Sequence, residues 1–241
     1  MNDLGSYAFG SFSANERELE RLQRQASIAW QVEQAALRAA GVGPGLRVVD
    51  LACGPGVVTH RIAGEVGPAG EVLGVELNPD LLAVARAQPA PEGSTARFVS
   101  GNVYDLGNLP DAGFDIAYAR FLVQHLERPL DALAAVKRIL KPGGRLIIAD
   151  SDDALFDLAP RPERLEEFLA LAAAGQSARG GDRSIGRKLG GLLHQAGYVR
   201  IQPSVTVVTT DGIPARDFLD ITTAFKLELL PDSDRDWARA M

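Results

Sequence analysis

Residues 46–150 alternate short, continuously apolar runs with longer amphipathic ones, and this alternation narrows the fold more than any other feature. The runs "RVVDLA", "VLGVEL" and "RLIIAD" lack the in–out pattern of a strand with one wet face. They read as strands covered on both sides. Between them lie "VVTHRIAGEV", "PDLLAVARAQ" and "PLDALAAVKRIL", which space their apolar residues as helices do. Pro79 suits a first helical turn, and the third helical run halts at "KPGG". "ARFVSGNV" and "FDIAYARF" add two strands. Short strands joined by helices imply an α/β fold: a Rossmann-like, doubly wound, mostly parallel sheet with helices on both faces.

The flanks differ. Residues 15–40 read as a helix with Asn15 as N-cap and Gly41 as stop. We expect residues 1–44 to form an N-terminal helical lid and 45–210 the main domain. Within it, 151–190 reads as a substrate-covering insertion, and 211–241 as a C-terminal helical segment. "YVRIQPSVTVVTT" reads as a long strand, bulged at Pro203. If it does not close the sheet, an open edge remains, which invites a second copy of the chain. A homodimer is the expectation.

Composition excludes several classes. Lys plus Arg total 25 and Asp plus Glu 31, a formal charge of −6, so no basic footprint for nucleic acid stands out. No window approaches the length of a membrane span. The N-terminus lacks the basic and apolar regions of a signal peptide. The single cysteine, Cys53, forms no intrachain disulfide and reads as a small packing residue. A cytoplasmic protein with a small-molecule substrate is expected, and no metal-ligand spacing is present.

The chemistry gathers in "VVDLACGPG", Val48 to Gly56. In an open parallel sheet, ligands bind beyond the carboxyl ends of the strands, and glycines there let a ligand approach the backbone. Glu76 ends the next strand, placed to accept hydrogen bonds from ribose hydroxyls. A dinucleotide site wants a third glycine, where this chain has Thr59. Asp50 would repel a pyrophosphate but suits a ligand with a positive end.

These residues resemble the class I S-adenosylmethionine-dependent methyltransferases. "VVDLACGPG" is similar to their first motif and "VLGVELNP" to their ribose-binding strand. "FVSGNVYDL", "FDIAYARFLVQHLERP" and "LKPGGRLIIAD" follow in the family's order. The N-terminal "SYAFGS" and later "LLHQAGYVRIQ" resemble a bacterial small-molecule subgroup. The resemblance implies S-adenosyl-L-methionine as cofactor. It places Asp50, Ala52 and Gly54 by the methionine part, Gly56 in the turn, and Glu76 on the ribose. Leu77 would lie against the adenine, with Asn102 on its amino group and Val103 offering a backbone N–H. Ala119 and Arg120 would lie by the ammonium. Tyr7 and Gln25 would close over the cofactor, ordinary helix packing being the other reading.

The implied reaction moves a methyl group to O, N or C of a small organic molecule by in-line displacement. Such an enzyme needs neither triad nor metal. His125, after the fourth strand, is the candidate base; capping the next helix is its other reading. Asp152, near Asp150 after the fifth strand, is a candidate substrate contact or a solvated loop acid. The alternatives are a pericyclic or decarboxylating enzyme on the same cofactor, a nicotinamide oxidoreductase, and a noncatalytic binding module.

Overall fold

A computed structural model describes residues 5–7, 9–10, 15–90 and 93–241, with the backbone alone at Gln31. After a long helix α1 (Asn15–Ala39), strands and helices alternate: β1 (Arg47–Leu51), α2 (Val57–Val66), β2 (Glu71–Glu76), α3 (Pro79–Ala87), β3 (Ala96–Ser100), β4 (Phe114–Arg120), α4 (Pro129–Ile139) and β5 (Leu140–Ala149). Helices α5 (Leu165–Ser177), α6 (Leu189–Gln195), α7 (Ala215–Leu229) and α8 (Asp232–Ala240) follow. The strands pair in the order β3-β2-β1-β4-β5, all parallel. The order reverses between β1 and β4, so the crevice of such a sheet opens at their carboxyl ends.

Local chemistry sets the elements that frame that crevice. Gly56, at φ 78°, turns the chain from the loop after β1 into α2. Asn78 caps α3, its Oδ1 accepting the N–H groups of Asp80 and Leu81 at 3.0 Å, with Pro79 next to it. In β1, Val48 and Val49 point to opposite faces. Val48 packs with Leu37, Ile62 and Val66 under α1 and α2, whereas Val49 and Leu51 pack with Val136 and Ile139 under α4. A third cluster joins Leu165, Phe168 and Ala172 of α5 to Phe225 and Leu229 of α7 and to Ala238 of α8. It forms the wall facing the sheet's carboxyl ends.

Two expectations change. Lys141–Gly144 is not a free turn before the fifth strand: the pairing jumps from Phe114 opposite Leu140 to Ile116 opposite Arg145, looping "KPGG" out within β5. And residues 198–210 form no strand. Pro203 has no N–H for a ladder, Arg200 takes a left-handed φ of 56°, and Val205 and Val207 stand exposed. The outer edge of β5 thus has no strand partner among the described residues. No described helix is long and apolar enough to cross a membrane.

Candidate functional site

Asp50 lies on the same face of β1 as Val48, two residues along, and so turns toward α2. It is 2% exposed, and Thr59 Oγ1 donates to its Oδ2 at 2.6 Å. Burial pushes its carboxyl up to about 7, against the pull of Thr59 and the Arg120 charge. Arg120, ending β4, donates from Nε to Glu33 Oε1 of α1 at 2.6 Å and lies over the Phe121 ring at 4.5 Å. Two buried oxygens here, Glu33 Oε2 and the Tyr118 hydroxyl, lack hydrogen-bond partners.

The loop between β1 and α2 is held to β2 by Glu76. One carboxylate oxygen accepts the Gly54 N–H and the other the Asn78 N–H, each at 2.8 Å. Burial raises the Glu76 carboxyl, and these N–H groups oppose the rise. Ala52 and Gly54 both take left-handed φ, 53° and 56°. A Cβ added to Gly54 would meet nothing within 4 Å, so this glycine faces open space. Leu77, Asn102 and Val103 line the same cleft. Asn102 Oδ1 accepts the Tyr104 N–H at 3.0 Å, closing its own turn. Its Oδ1 keeps a second lone pair and its NH₂ group remains as a donor.

The cleft continues past β4 and β5 to a second wall. His125 stands there with ring centroids of Tyr7 and Phe225 each 5.4 Å away. Burial, with Arg183 and Arg21 nearby, pushes its ring down to about 3. Beside it lies a buried polar cluster that sequence reasoning missed. Arg183 grips Asp153 with Nε and NH2 at 2.7 and 2.8 Å, and Lys226 Nζ lies 3.3 Å from the same carboxylate. Lys226 is 3% exposed, and burial lowers its ammonium to about 8. Phe156 and Phe218 stack at 6.2 Å nearby in the cleft wall. One signal was available: Lys226 interrupts the apolar face formed by Phe225 and Leu229. Arg183, in the glycine-rich "ARGGDRSIG", gave none.

Asp152 lines the cleft but is held in an ion pair. Arg187 binds it twice, at 2.6 and 2.9 Å, and its Oδ1 also caps the next turn through the Ala154 N–H. The Arg187 guanidinium holds this carboxylate below its usual range, unfit as a base at neutral pH. Its neighbour Asp153 is the acid that faces the cluster. Tyr7 and Gln25 line the cleft, each held by a hydrogen bond within the protein. Tyr7 donates to Glu18 at 2.5 Å and stands by His125, at the far end of the cleft. Gln25 donates to the Ile221 carbonyl at 3.3 Å and ties α1 to α7. Ala119 is buried opposite Leu51 and presents backbone alone.

Residues 49–148 match a family model described as a methyltransferase domain. This stretch is a class I S-adenosylmethionine-dependent methyltransferase domain. The UbiE C-methyltransferase of ubiquinone and menaquinone biosynthesis from Ectopseudomonas mendocina is 38% identical over 112 residues, 46% of this chain and 43% of that protein. The chain spans about half the length of the curated relatives it matches, 43% to 56%. A SAM-dependent methyltransferase structure from Aquifex aeolicus superposes with a TM-score of 0.59 at 22% identity, covering 75% of this chain and 86% of that one. The cyclase SpnF superposes at 0.53 with 21% identity, covering 70% and 57%, and shares the fold.

The methyltransferase domain fits the cofactor of its class, S-adenosyl-L-methionine. Gly54 leaves open the space a side chain would fill. Glu76 keeps lone pairs beyond those used by the two N–H groups. The unpartnered Glu33 and Tyr118 oxygens lie near Asp50, where a ligand ammonium would give them a donor. Among the described residues, no group of three His, Cys, Asp or Glu could hold a metal.

Proposed function

We propose that the chain transfers a methyl group from S-adenosyl-L-methionine to an O, N or C atom of a small organic molecule. The observation carrying this reading is one continuous cleft. An acid-flanked glycine cradle lies at one end, and a wall of Tyr7, Phe156, Phe218 and Phe225 at the other. The bound cofactor supplies a methyl group already activated on a sulfonium. The chain's residues bind and orient. Asp50 takes the ammonium, Arg120 stands by the methionine carboxylate, and Glu76 takes the ribose hydroxyls. The aromatic wall holds the acceptor and excludes water. Positioning of this kind can contribute about 7–11 kcal/mol to the barrier.

The test is incubation of the chain with the cofactor and a panel of aromatic and aliphatic small molecules, read by mass spectrometry. A product heavier by one methyl, with S-adenosylhomocysteine in equal amount, supports the reading. Conversion of a substrate without gain of a methyl and without cofactor consumption would move the assignment to the pericyclic or decarboxylating class.

Asp50 gives the cofactor end a pH signature. Its neighbours are Thr59, Arg120, Glu33 and Glu76. Near pH 6 the free chain holds it mostly protonated, while an ammonium ligand requires it ionised. Binding therefore releases a proton. Affinity for S-adenosylhomocysteine should rise as pH climbs from 5.5 to 7, by up to about tenfold per unit. Titration calorimetry in buffers of different ionisation heat measures this, and Asp50→Asn should flatten the slope.

A further inference from the structure

Gln176 decides which nitrogen of His125 carries the proton. Gln176 is sealed from solvent. Its Oε1 accepts from Arg183 NH1 at 3.1 Å, and its Nε2 donates to the Gln124 carbonyl at 2.7 Å. Turning the amide over would set donor against donor and acceptor against acceptor, so its neighbours fix its orientation. The same Nε2 lies 3.4 Å from His125 Nδ1, and Ser6 Oγ lies 2.8 Å from that atom. An amide N–H facing Nδ1 favours a lone pair there, to which the Ser6 hydroxyl can also donate. The neutral ring then carries its proton on Nε2. Nε2 has no hydrogen-bond partner among the described residues, and the ring lines the cleft. A ring whose one lone pair is covered by Ser6 and Gln176, and whose other nitrogen is already protonated, cannot serve as the base expected from sequence. It can only donate.

The charges around it favour a particular acceptor. Arg21 is paired with Glu18, while Arg183 and Lys226 share Asp153. The remaining acid, Asp150, accepts the N–H groups of Gln124 and Ser151, and burial pushes it up to about 7. Three cations thus stand against two carboxylates and a third that is close to half-protonated at neutral pH. We infer that His125 Nε2–H, in the positive field of Arg183 and Arg21, forms a subsite for an anionic oxygen, carboxylate or phenolate, on an aromatic ligand. The inference rests on the proposed function only in naming that ligand the methyl acceptor; the subsite follows from the hydrogen bonds.

Two measurements test it. Long-range proton–nitrogen NMR of the ligand-free chain, labelled in histidine, should show His125 as the Nε2–H tautomer without titration between pH 5 and 8. A Nδ1–H pattern, or titration near 6.5, would overturn the inference. With S-adenosylhomocysteine bound, benzoate should shift the Nε2 resonance and bind at least about tenfold more tightly than its neutral isostere nitrobenzene, as one hydrogen bond to a charged group allows. His125→Leu should abolish that preference. His125→Gln, whose amide can offer a donor near the Nε2 position, should restore most of it. Equal affinity for the two probes, or equal loss in both variants, would overturn the subsite. Failure of S-adenosylhomocysteine to bind would count against the methyltransferase reading alone, since the tautomer is read without it.

Discussion

Glu76→Ala is expected to weaken binding of S-adenosylhomocysteine by about 100-fold, measured by titration calorimetry. A hydrogen bond to a charged group contributes roughly 1.5–3 kcal/mol, and the Glu76 carboxylate would offer two acceptors to the ribose hydroxyls. The loss is counted in free energy at about 3 kcal/mol. The substitution also removes the acceptor of the Gly54 and Asn78 N–H groups, 2.8 Å away in each case. That second effect acts on the empty chain, so it appears in the thermal unfolding of the free protein. Glu76→Gln separates the two. Its amide oxygen can hold one N–H group and the loop, but the other half of the amide meets N–H with N–H. The Gln variant should keep more of the free chain's stability than Ala while losing much of the affinity. An affinity unchanged in Glu76→Ala would remove the ribose role and with it the reading of the whole cradle.

The cradle was legible in the sequence for a physical reason. A glycine pair after a buried strand, and acids at two strand ends, are consequences of local backbone geometry, and local geometry is written in consecutive residues. Asp50, Gly54, Gly56 and Glu76 lie within a 27-residue stretch on elements whose period is strong. The far wall of the cleft is a different problem. Ser6, His125, Gln176 and Arg183 meet across 177 residues, joined by hydrogen bonds between the N-terminal segment, the turn after β4, the end of α5 and the loop after it. Nothing in "ARGGDRSIG" marks its arginine as buried, and nothing near Gln176 marks it as the group that orients an imidazole. Asp152 and Asp153 show the limit at its sharpest. The two acids are adjacent and chemically alike, yet one meets Arg187 at the surface and the other Arg183 in the interior. The strand expected at 198–210 failed for the opposite reason. Its β-branched residues fit a strand locally, but Pro203 and the turned backbone at Arg200 keep it from pairing with β5.

Gly56→Ala should lower the stability of the free chain by about 3 kcal/mol, while Gly54→Ala should cost only about 1 kcal/mol and strike ligand binding instead. Both glycines have left-handed φ, 78° and 56°, so both substitutions carry the conformational penalty of a side chain in that region. They differ in what the new Cβ meets. At Gly56 it would come within 2.9 Å of the Ala85 Cβ on α3 and of the Phe98 ring on β3, closer than side-chain carbons approach without one of them shifting. At Gly54 it would enter open space. In thermal unfolding, Gly56→Ala should therefore fall by about 10 °C and Gly54→Ala by about a third of that, given the slope for a chain of this size. In titration with S-adenosylhomocysteine the ranking should reverse: the Gly54 variant places a methyl group where the ligand must approach the backbone, while the folded fraction of the Gly56 variant keeps that surface bare. Equal losses of stability would mean that backbone strain alone governs the loop. A Gly54 variant that binds normally would mean that the space before Gly54 is not where the cofactor lies.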